Sequence, residues 1–446
     1  MTDAAASHLG LRSACQTVAA IARGDTTARA ECEAAIARIE AMDGAVNAVV
    51  LRDFDRARAA ADDADRRVAA GERAPLLGLP MTVKEAFDVA GLPTSWGFVA
   101  HHGNVVNSDA DAVARLKAAG AIILGKTNVP AGLSEWQSVN DVHGRTSHPH
   151  FPDRTPGGSS GGSAAALASG MVALELGSDI GGSIRVPAHF CGIWGHKPTY
   201  GVVSTYGHRY PGTDGAAGPM VVAGPMARGA DDLMLAMRLL SDIALPEAGE
   251  ASLAGLRVLL LTSHPLAMCA QSIRSAAEHV GEVLRQEGAL VDLESPLLPD
   301  LAAQHGGYMK LMLIGLSRGA PGIGGREASL REWFDLLDQQ ARNARAWAAL
   351  FTQYDAVIAP CLGLTAYPHR AKPSYSRDML EIDGVESPLA AQFAWPGLAT
   401  FPDLPATAFP VGRDEAGLPI GLQLIGPRHS DLRVIALAGR IAQALG

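Results

Sequence analysis

The sequence predicts an α/β fold on three observations. Segments with helical periodicity alternate with short apolar runs that are typical of buried strands. The chain has 446 residues, of which 48% are hydrophobic, so a sizeable buried core is possible. Residues 255–295 read as a strand–helix–strand unit, and no linker forces a division into domains, although 241–254 is a weak candidate.

The first third of the chain contains the helices and strands that establish this alternation. Residues 14–72 are predicted to be helical, because apolar residues recur three and four positions apart and Gly71 and Pro75 end the stretch. A short buried strand is predicted over 76–84, a helix over 111–119 and a second strand over 121–124.

Glycine and serine dominate the zone from residue 155 to 201, and regular elements return after it. Within that zone we predict a helix over 164–171 and a strand over 172–176, and residues 205–225 are predicted to be a loop. The region 296–355 is predicted to be mostly helical. The other predicted elements are helices over 231–240, 272–286 and 432–445, and strands over 256–261, 289–293, 355–360, 404–409 and 421–425.

Composition excludes several classes of partner. The formal net charge is −9 with no basic run, which argues against nucleic acid and against an anionic membrane surface. No apolar run reaches the roughly 18 residues of a membrane span, and no secretory signal is visible. Five widely spaced cysteines without a C-x-x-C pair indicate reduced thiols, so we expect a cytoplasmic protein whose cysteines bind no metal.

Two glycine-rich motifs carry the chemistry. Residues 157–163 lead directly into an apolar helix, and residues 177–187 follow a predicted strand and contain Ser183. A strand, a glycine-rich turn and a serine before a helix can present a hydroxyl nucleophile beside backbone N–H donors. The alternatives are a flexible linker for the first motif and a helix cap at Ser183 for the second.

Lys84 is the third candidate residue. A lysine directly after an apolar strand is ordinarily an exposed strand end. A buried lysine would instead have a pKa lowered by roughly 3–5 units, which makes it a usable base near neutral pH. The sequence leaves both interpretations open.

These motifs together resemble the amidase signature family. The resemblance rests on residues 80–94, 157–163 and 177–187, and it is supported by 125–128, 191–199, 224–228 and 417–426. It extends from about residue 14 to the end and is weakest over 296–400. It implies one domain over 1–446 with a large twisted, mixed β-sheet covered by helices on both faces. Within it we expect N-terminal helices over 14–72, a signature core over about 76–240 and a substrate-shaping region over about 296–400.

The resemblance also implies a Ser–cis-Ser–Lys triad. Ser183 is similar to the nucleophile, Lys84 to the general base, and Ser159 to a bridging serine preceded by a cis peptide bond. Backbone N–H groups would form the oxyanion hole at Ile180, Gly181, Gly182 and Ser183, and the residues expected to support the triad are Asp179, Arg185 and Ser160. Departures from the family pattern are Glu85, His148, Trp194 and His196.

Other patterns in the chain point to different chemistry. Residues 120–127 fit the phosphate-binding P-loop, but their four inner residues, Ala-Ile-Ile-Leu, favour a buried strand over a flexible turn. The fourteen histidines include no H-E-x-x-H spacing, so metal catalysis is not expected. No Gly-x-Ser-x-Gly surrounds Ser183, which argues against a Ser–His–Asp triad.

The resulting hypothesis is hydrolysis of a linear carboxylic amide through an acyl-enzyme, with no cofactor and no metal. One alternative is a glutaminase subunit that delivers ammonia to a partner protein, and another is a non-catalytic binding protein. A homodimer is possible. The loop 204–222 and parts of 300–400 are expected to border the substrate pocket through Tyr206, His208, Arg209, Tyr210, Met309, Met312, Phe334 and Trp395.

Overall fold

The protein is built on one large β-sheet. The computed structural model describes residues 11–213, 216–320, 327–371 and 373–446. Over these residues eleven strands form a single sheet, and two further pairs of strands, β4–β5 and β12–β13, form separate hairpins. The strands are β1 Val49–Arg52, β2 Pro80–Lys84, β3 Ile122–Thr127, β4 Val139–Asn140, β5 Gly144–Arg145, β6 Leu174–Asp179, β7 Trp194–Lys197, β8 Val222–Ala227, β9 Arg257–Leu260, β10 Leu290–Asp292, β11 Ala356–Pro360, β12 Met379–Ile382, β13 Val385–Pro388, β14 Ala406–Arg413 and β15 Pro419–Ile425.

The sheet is mixed, as the sequence predicts. Its order is β1-β3-β2-β6-β8-β7-β14-β15-β11-β9-β10. Strands β3, β2 and β6 are parallel, and so are β11, β9 and β10, whereas the neighbours between these two groups pair antiparallel. Because β2 and β6 are parallel, their carboxyl ends lie at the same edge of the sheet.

Helices cover the sheet and bury its apolar side chains. They are α1 Ala14–Arg23, α2 Ala28–Val46, α3 Phe54–Ala69, α4 Asp111–Ala118, α5 Gly161–Ala168, α6 Arg185–Cys191, α7 Ala230–Leu240, α8 Gln271–Gln286, α9 Leu301–Ser317, α10 Leu330–Leu350, α11 Ala394–Thr400 and α12 Asp431–Leu445, with short 3-10 helices at Val99–His101, Ala131–Leu133 and Leu389–Phe393. Within the described ranges, none of the helices combines the length and the apolar character that a bilayer crossing requires.

Successive residues of β3 illustrate the two buried faces. Ile123 belongs to the core cluster that also contains Leu233 of α7. Its neighbours Ile122 and Leu124 belong to a second cluster with Ile36 of α2. Adjacent side chains of a strand point to opposite faces, so both faces of the sheet are covered. The structure is therefore a single α/β domain with helices on both sides.

Three strands of the large sheet were absent from the sequence-based prediction. Strand β1 interrupts the stretch 14–72, because its four residues are too short to break the helical pattern around them. Strands β7 and β8 lie in regions predicted to be turn or loop. Strand β8 contains Gly224 and Pro225, which disfavour strands locally. A Cβ at position 224 would collide with the carbonyl of His196, so close approach of the two strands requires glycine there.

The region 296–400 forms a third buried cluster beside the sheet. Helices α9 and α10 contribute Tyr308, Leu311 and Leu336 to it, and Trp136 and Val186 join from the signature core. The predominantly helical character predicted for 296–355 is confirmed. The packing places this region directly against the glycine-rich motifs.

Candidate active site

Lys84 lies at the carboxyl end of β2, in the interior of the sheet, and is fully buried. Its Nζ donates hydrogen bonds to Ser159 Oγ at 2.6 Å and to Ser178 Oγ at 2.8 Å. Burial lowers the pKa of this amine from 10.5 to about 7, although the charges of Asp179 and Glu175 act in the opposite direction. The structure therefore favours the buried base over the exposed strand end.

Ser159 reaches Lys84 from the loop before α5. The peptide bond between Gly158 and Ser159 is cis. The loop passes very close to α6, since a Cβ on Gly157 would lie 2.7 Å from the Cα of Pro187, and the φ of Gly157 is +88°. Glycine is required here both for space and for backbone conformation. The Gly/Ser run is thus a tightly packed turn and not a flexible linker.

Ser183 occupies the turn between β6 and α6. It is 6% exposed and lines the same cavity as Ser159 and Ser178. Among the described residues its hydroxyl makes no hydrogen bond, so the predicted link from Ser183 to Ser159 is not made in this structure. Catalytic hydrogen bonds are often long in ligand-free enzymes and tighten when substrate binds. The three residues are brought together, and their catalytic roles stay predictions.

The predicted oxyanion hole is the backbone of residues 180–183. The N–H of Gly182 donates to Asp179 Oδ1 at 2.9 Å, so it is already engaged. The N–H groups of Ile180, Gly181 and Ser183 have no acceptor among the described residues. These three, rather than all four, are therefore free to receive a ligand oxygen.

Two distant side chains hold this turn in place. The hydroxyl of Tyr308 on α9 donates to the carbonyl of Ile180 at 2.7 Å, and the indole N–H of Trp136 donates to the carbonyl of Gly181 at 2.9 Å. In a trans peptide the C=O and the following N–H point in opposite directions. Holding the Ile180 carbonyl therefore also orients the N–H of Gly181.

Asp179 and Arg185 form a fully buried ion pair behind the turn. Arg185 Nη2 lies 2.9 Å from Asp179 Oδ1, and its Nε lies 3.1 Å from Oδ2. Burial alone would raise the pKa of Asp179, but the charge and hydrogen bonds of Arg185 outweigh it and lower that pKa to about 2. Arg185 also donates to Gln423 Oε1 and to the Pro396 carbonyl, so its contacts tie the turn to the sheet and to α11.

Ser160 supports the turn from the other side. Its N–H donates to the carbonyl of Ser183 at 3.2 Å, and its Oγ accepts from the N–H of Ser178 at 3.4 Å. Asp179, Arg185 and Ser160 thus all contact the turn that carries Ser183, and their supporting role stays a prediction.

The sequence reasoning missed several contributors. Ser178 contacts Lys84 and stands next to Asp179 in a motif already singled out, so the motif contained a signal for it. Glu175 lies behind Lys84, where it accepts from Thr82, and burial raises the pKa of its carboxyl to about 7. Tyr308 lies 128 residues from its partner, and no local pattern indicates that contact.

A cavity of about 550 Å³ opens onto the two serines. The loop residues His208, Arg209 and Tyr210 line it, as expected from the sequence. The other five suggested residues do not: Tyr206 and Phe334 are exposed beside it, and Met309, Met312 and Trp395 pack elsewhere. Its lining otherwise comes mainly from Trp96, Leu133, Ile180, Pro219, Val221, Ile314, Leu316, Arg318, Leu330 and Trp333. A larger cavity of about 640 Å³ contains none of the predicted catalytic residues.

Glu85 has a definable task in this structure. Its carboxylate accepts from the N–H groups of Ser95 and Trp96, at 2.6 and 2.9 Å, and from the Ser95 hydroxyl. Trp96, held there with a φ of +54°, forms one wall of the cavity. The departure from the family pattern at position 85 therefore affects the shape of the cavity wall.

The P-loop-like segment is a buried strand, as expected. Lys126 in β3 is fully buried and donates to the Pro93 carbonyl and to Thr94 Oγ1. All six residues of this strand are buried, so its N–H groups cannot wrap a phosphate. Groups of three or more His, Cys, Asp or Glu side chains placed to hold a metal are not found in the part of the chain that the structure describes.

Comparison with known proteins identifies the family. The model of the Amidase family matches residues 31–314 and 325–435. AtzE of Pseudomonas sp. (strain ADP), which belongs to 1-carboxybiuret hydrolase, is 33% identical over 467 residues, which cover 97% of this chain and 98% of that protein. A glutamyl-tRNA(Gln) amidotransferase component from Roseiflexus sp. (strain RS-1) is 34% identical, covering 91% of each protein.

Solved structures agree with this assignment. A bacterial aryl acylamidase of the amidase signature enzymes superposes with a TM-score of 0.83 at 25% identity, covering 97% of this chain and 96% of that one. A structure described as revealing the evolutionary origins of an s-triazine catabolic enzyme superposes with a TM-score of 0.84 at 31% identity, covering 98% and 99%. The chain therefore belongs to the amidase family, whose chemistry is the hydrolysis of amide C–N bonds.

Proposed function

We propose that this protein hydrolyses a linear carboxylic amide through a covalent acyl-enzyme formed on Ser183. The observation that carries the proposal is the buried Lys84, with a pKa of about 7, hydrogen bonded to Ser159 at the floor of the cavity that Ser183 lines. A lysine that is half neutral at physiological pH can accept a proton, which an ordinary lysine cannot do to a useful extent.

The proposed reaction begins with a proton relay. Neutral Lys84 takes a proton from Ser159, which takes one from Ser183 as the Ser183 oxygen attacks the amide carbonyl. The relay returns the proton to the leaving nitrogen, the C–N bond breaks, and an amine departs. Water then attacks the ester on Ser183 by the same relay and releases the carboxylic acid. No metal or organic cofactor takes part in these steps.

The turn at 180–183 supplies the electrostatic part of the proposal. Negative charge develops on the carbonyl oxygen during attack, and the free N–H groups of Ile180, Gly181 and Ser183 are the donors proposed to receive it. The N–H of Gly182 would contribute only by sharing its bond to Asp179. The buried pair of Asp179 and Arg185 keeps these donors in position before substrate arrives.

A serine-reactive fluorophosphonate probe tests the proposal. We expect the probe to label Ser183, as located by mass spectrometry, and the label to be lost in Lys84→Ala. The matched control is Lys126→Met, since Lys126 is also a buried lysine, on the adjacent strand, with a pKa lowered by burial to about 8, yet lies outside the cavity. Labelling at a different serine, or undiminished labelling in Lys84→Ala, would refute the relay.

The glutaminase alternative is tested separately. The similar proteins include both amide hydrolases and amidotransferase components, so they do not favour ammonia transfer to a partner. We expect the purified chain alone to hydrolyse simple linear amides. Activity on glutamine that appears only with an added partner protein would support the alternative. The cytoplasmic location and the homodimer also stay predictions, and chromatography with light scattering measures the latter.

A further inference from the structure

Two arginines line the cavity that holds the serines. Arg209 comes from the loop after β7, and Arg318 stands directly after the last residue of α9. Neither has a carboxylate within ion-pair distance among the described residues, and neither donates a hydrogen bond to them. The guanidinium of Arg209 instead rests over the ring of Tyr206, 4.9 Å from its centroid, which limits its orientations.

The other groups at the cavity do not balance these two charges. Asp179 is the one acidic residue among the described residues of the lining, and it is paired with Arg185 and has no exposed surface. Burial lowers the pKa of His208 to about 3, so its imidazole is neutral. The described part of the cavity therefore presents an uncompensated positive charge at neutral pH.

The remaining wall is mainly apolar. Trp96 and Leu133 stand on one side, and Ile314, Leu330 and Trp333 contribute from α9 and α10. Low-dielectric walls strengthen the attraction between a fixed charge and an opposite charge on a ligand, and apolar surface favours an uncharged body between the ends of that ligand.

We propose that the substrate carries a carboxylate, separated from the scissile amide by an apolar segment, and that Arg209 and Arg318 bind this carboxylate. The inference rests on the proposed function, because it assumes that the amide end lies at Ser183. The guanidinium groups then act as specificity determinants: they attract anionic amides and disfavour cationic ones of the same length.

Calorimetric binding to a Ser183→Ala chain tests the inference without using the reaction. Three ligands with the same eight-carbon chain and a terminal amide are compared: 8-amino-8-oxooctanoate, octanamide and 8-aminooctanamide. We expect the carboxylate to bind at least about tenfold more tightly than octanamide, and the amine to bind more weakly than both. Added salt should weaken binding of the carboxylate and leave that of octanamide unchanged.

Arginine variants locate the effect. In Arg209→Gln and Arg318→Gln, each in the Ser183→Ala background, we expect affinity for the carboxylate to fall about tenfold while affinity for octanamide is retained. Arg345→Gln is the matched control, because Arg345 is an exposed arginine of α10 outside the cavity. It should bind all three ligands as the parent does.

Three results would overturn the inference: equal affinity for the three ligands, equal weakening of all of them by the arginine variants, or no binding of the carboxylate at millimolar concentration. Binding to Ser183→Ala does not depend on the relay. A failed relay would appear instead as an unlabelled Ser183 in the fluorophosphonate experiment, so the two failures are distinguishable.

Discussion

The pH dependence of turnover should report the titration of Lys84. Its pKa is lowered from 10.5 to about 7 because the amine is fully buried and gains no close carboxylate. This corresponds to about 5 kcal/mol of preference for the neutral amine. At pH 7 about half of the molecules then carry the neutral base, whereas an unperturbed lysine would be neutral in roughly three molecules in ten thousand.

We therefore expect kcat/KM for a neutral amide to rise about tenfold between pH 6 and 8 and then to level off. Substitution of Lys84 by Met should lower kcat/KM by about 10²–10⁴-fold and abolish this rise. The assay is amine release from a neutral amide across pH 5.5–10, with folding checked by circular dichroism at each pH. Lys126→Met should keep the parental profile, since Lys126 bonds only to Pro93 and Thr94.

The refuting result is equally specific. A profile that climbs tenfold per pH unit without a plateau up to pH 10 would mean that the base has an ordinary lysine pKa. A flat profile, or one that persists in Lys84→Met, would mean that another group accepts the proton. Either outcome would remove Lys84 from the relay.

Three other predictions concern the same architecture. Tyr308→Phe removes the hydrogen bond to the Ile180 carbonyl, so we expect kcat to fall about tenfold with KM nearly unchanged; an equal change in both would argue against a role in orienting the oxyanion donors. Asp179→Asn leaves Arg185 buried without its counter-charge, so urea titration should report a loss of about 3–5 kcal/mol; unchanged stability would contradict the assigned pairing. Lys84→Met should stabilise the fold, because the folded-state pKa lies below the unfolded one: the cost of burying the amine is fully present below about pH 7 and is lost as pH rises to about 10.5. The gain in urea midpoint should thus be larger at pH 6 than at pH 9, and the opposite trend would show that Lys84 is charged when folded.

Much of the fold follows from local patterns. The strand–helix–strand unit around α8 was predicted to within about one residue at most of its boundaries, because its amphipathic helix separates two short apolar strands. Strand β8 was missed for the opposite reason. Its Gly224 and Pro225 have low strand propensity, and they are tolerated there because neighbouring strands approach closely on both sides.

The sequence by itself determined which residues are candidates: Lys84 after an apolar strand, and two glycine-rich turns that place Ser159 and Ser183 just before helices. These are local features, and local backbone chemistry is what a sequence motif encodes. Burial is not local. Lys84 and Ser159 are 75 residues apart, and only the order of strands in the sheet buries the amine, brings it to the hydroxyl and lowers its pKa. Tertiary structure likewise decided that Gly182 is engaged by Asp179, that Tyr308 holds the turn, and which side chains line the cavity, because each depends on segments that meet only in the folded chain.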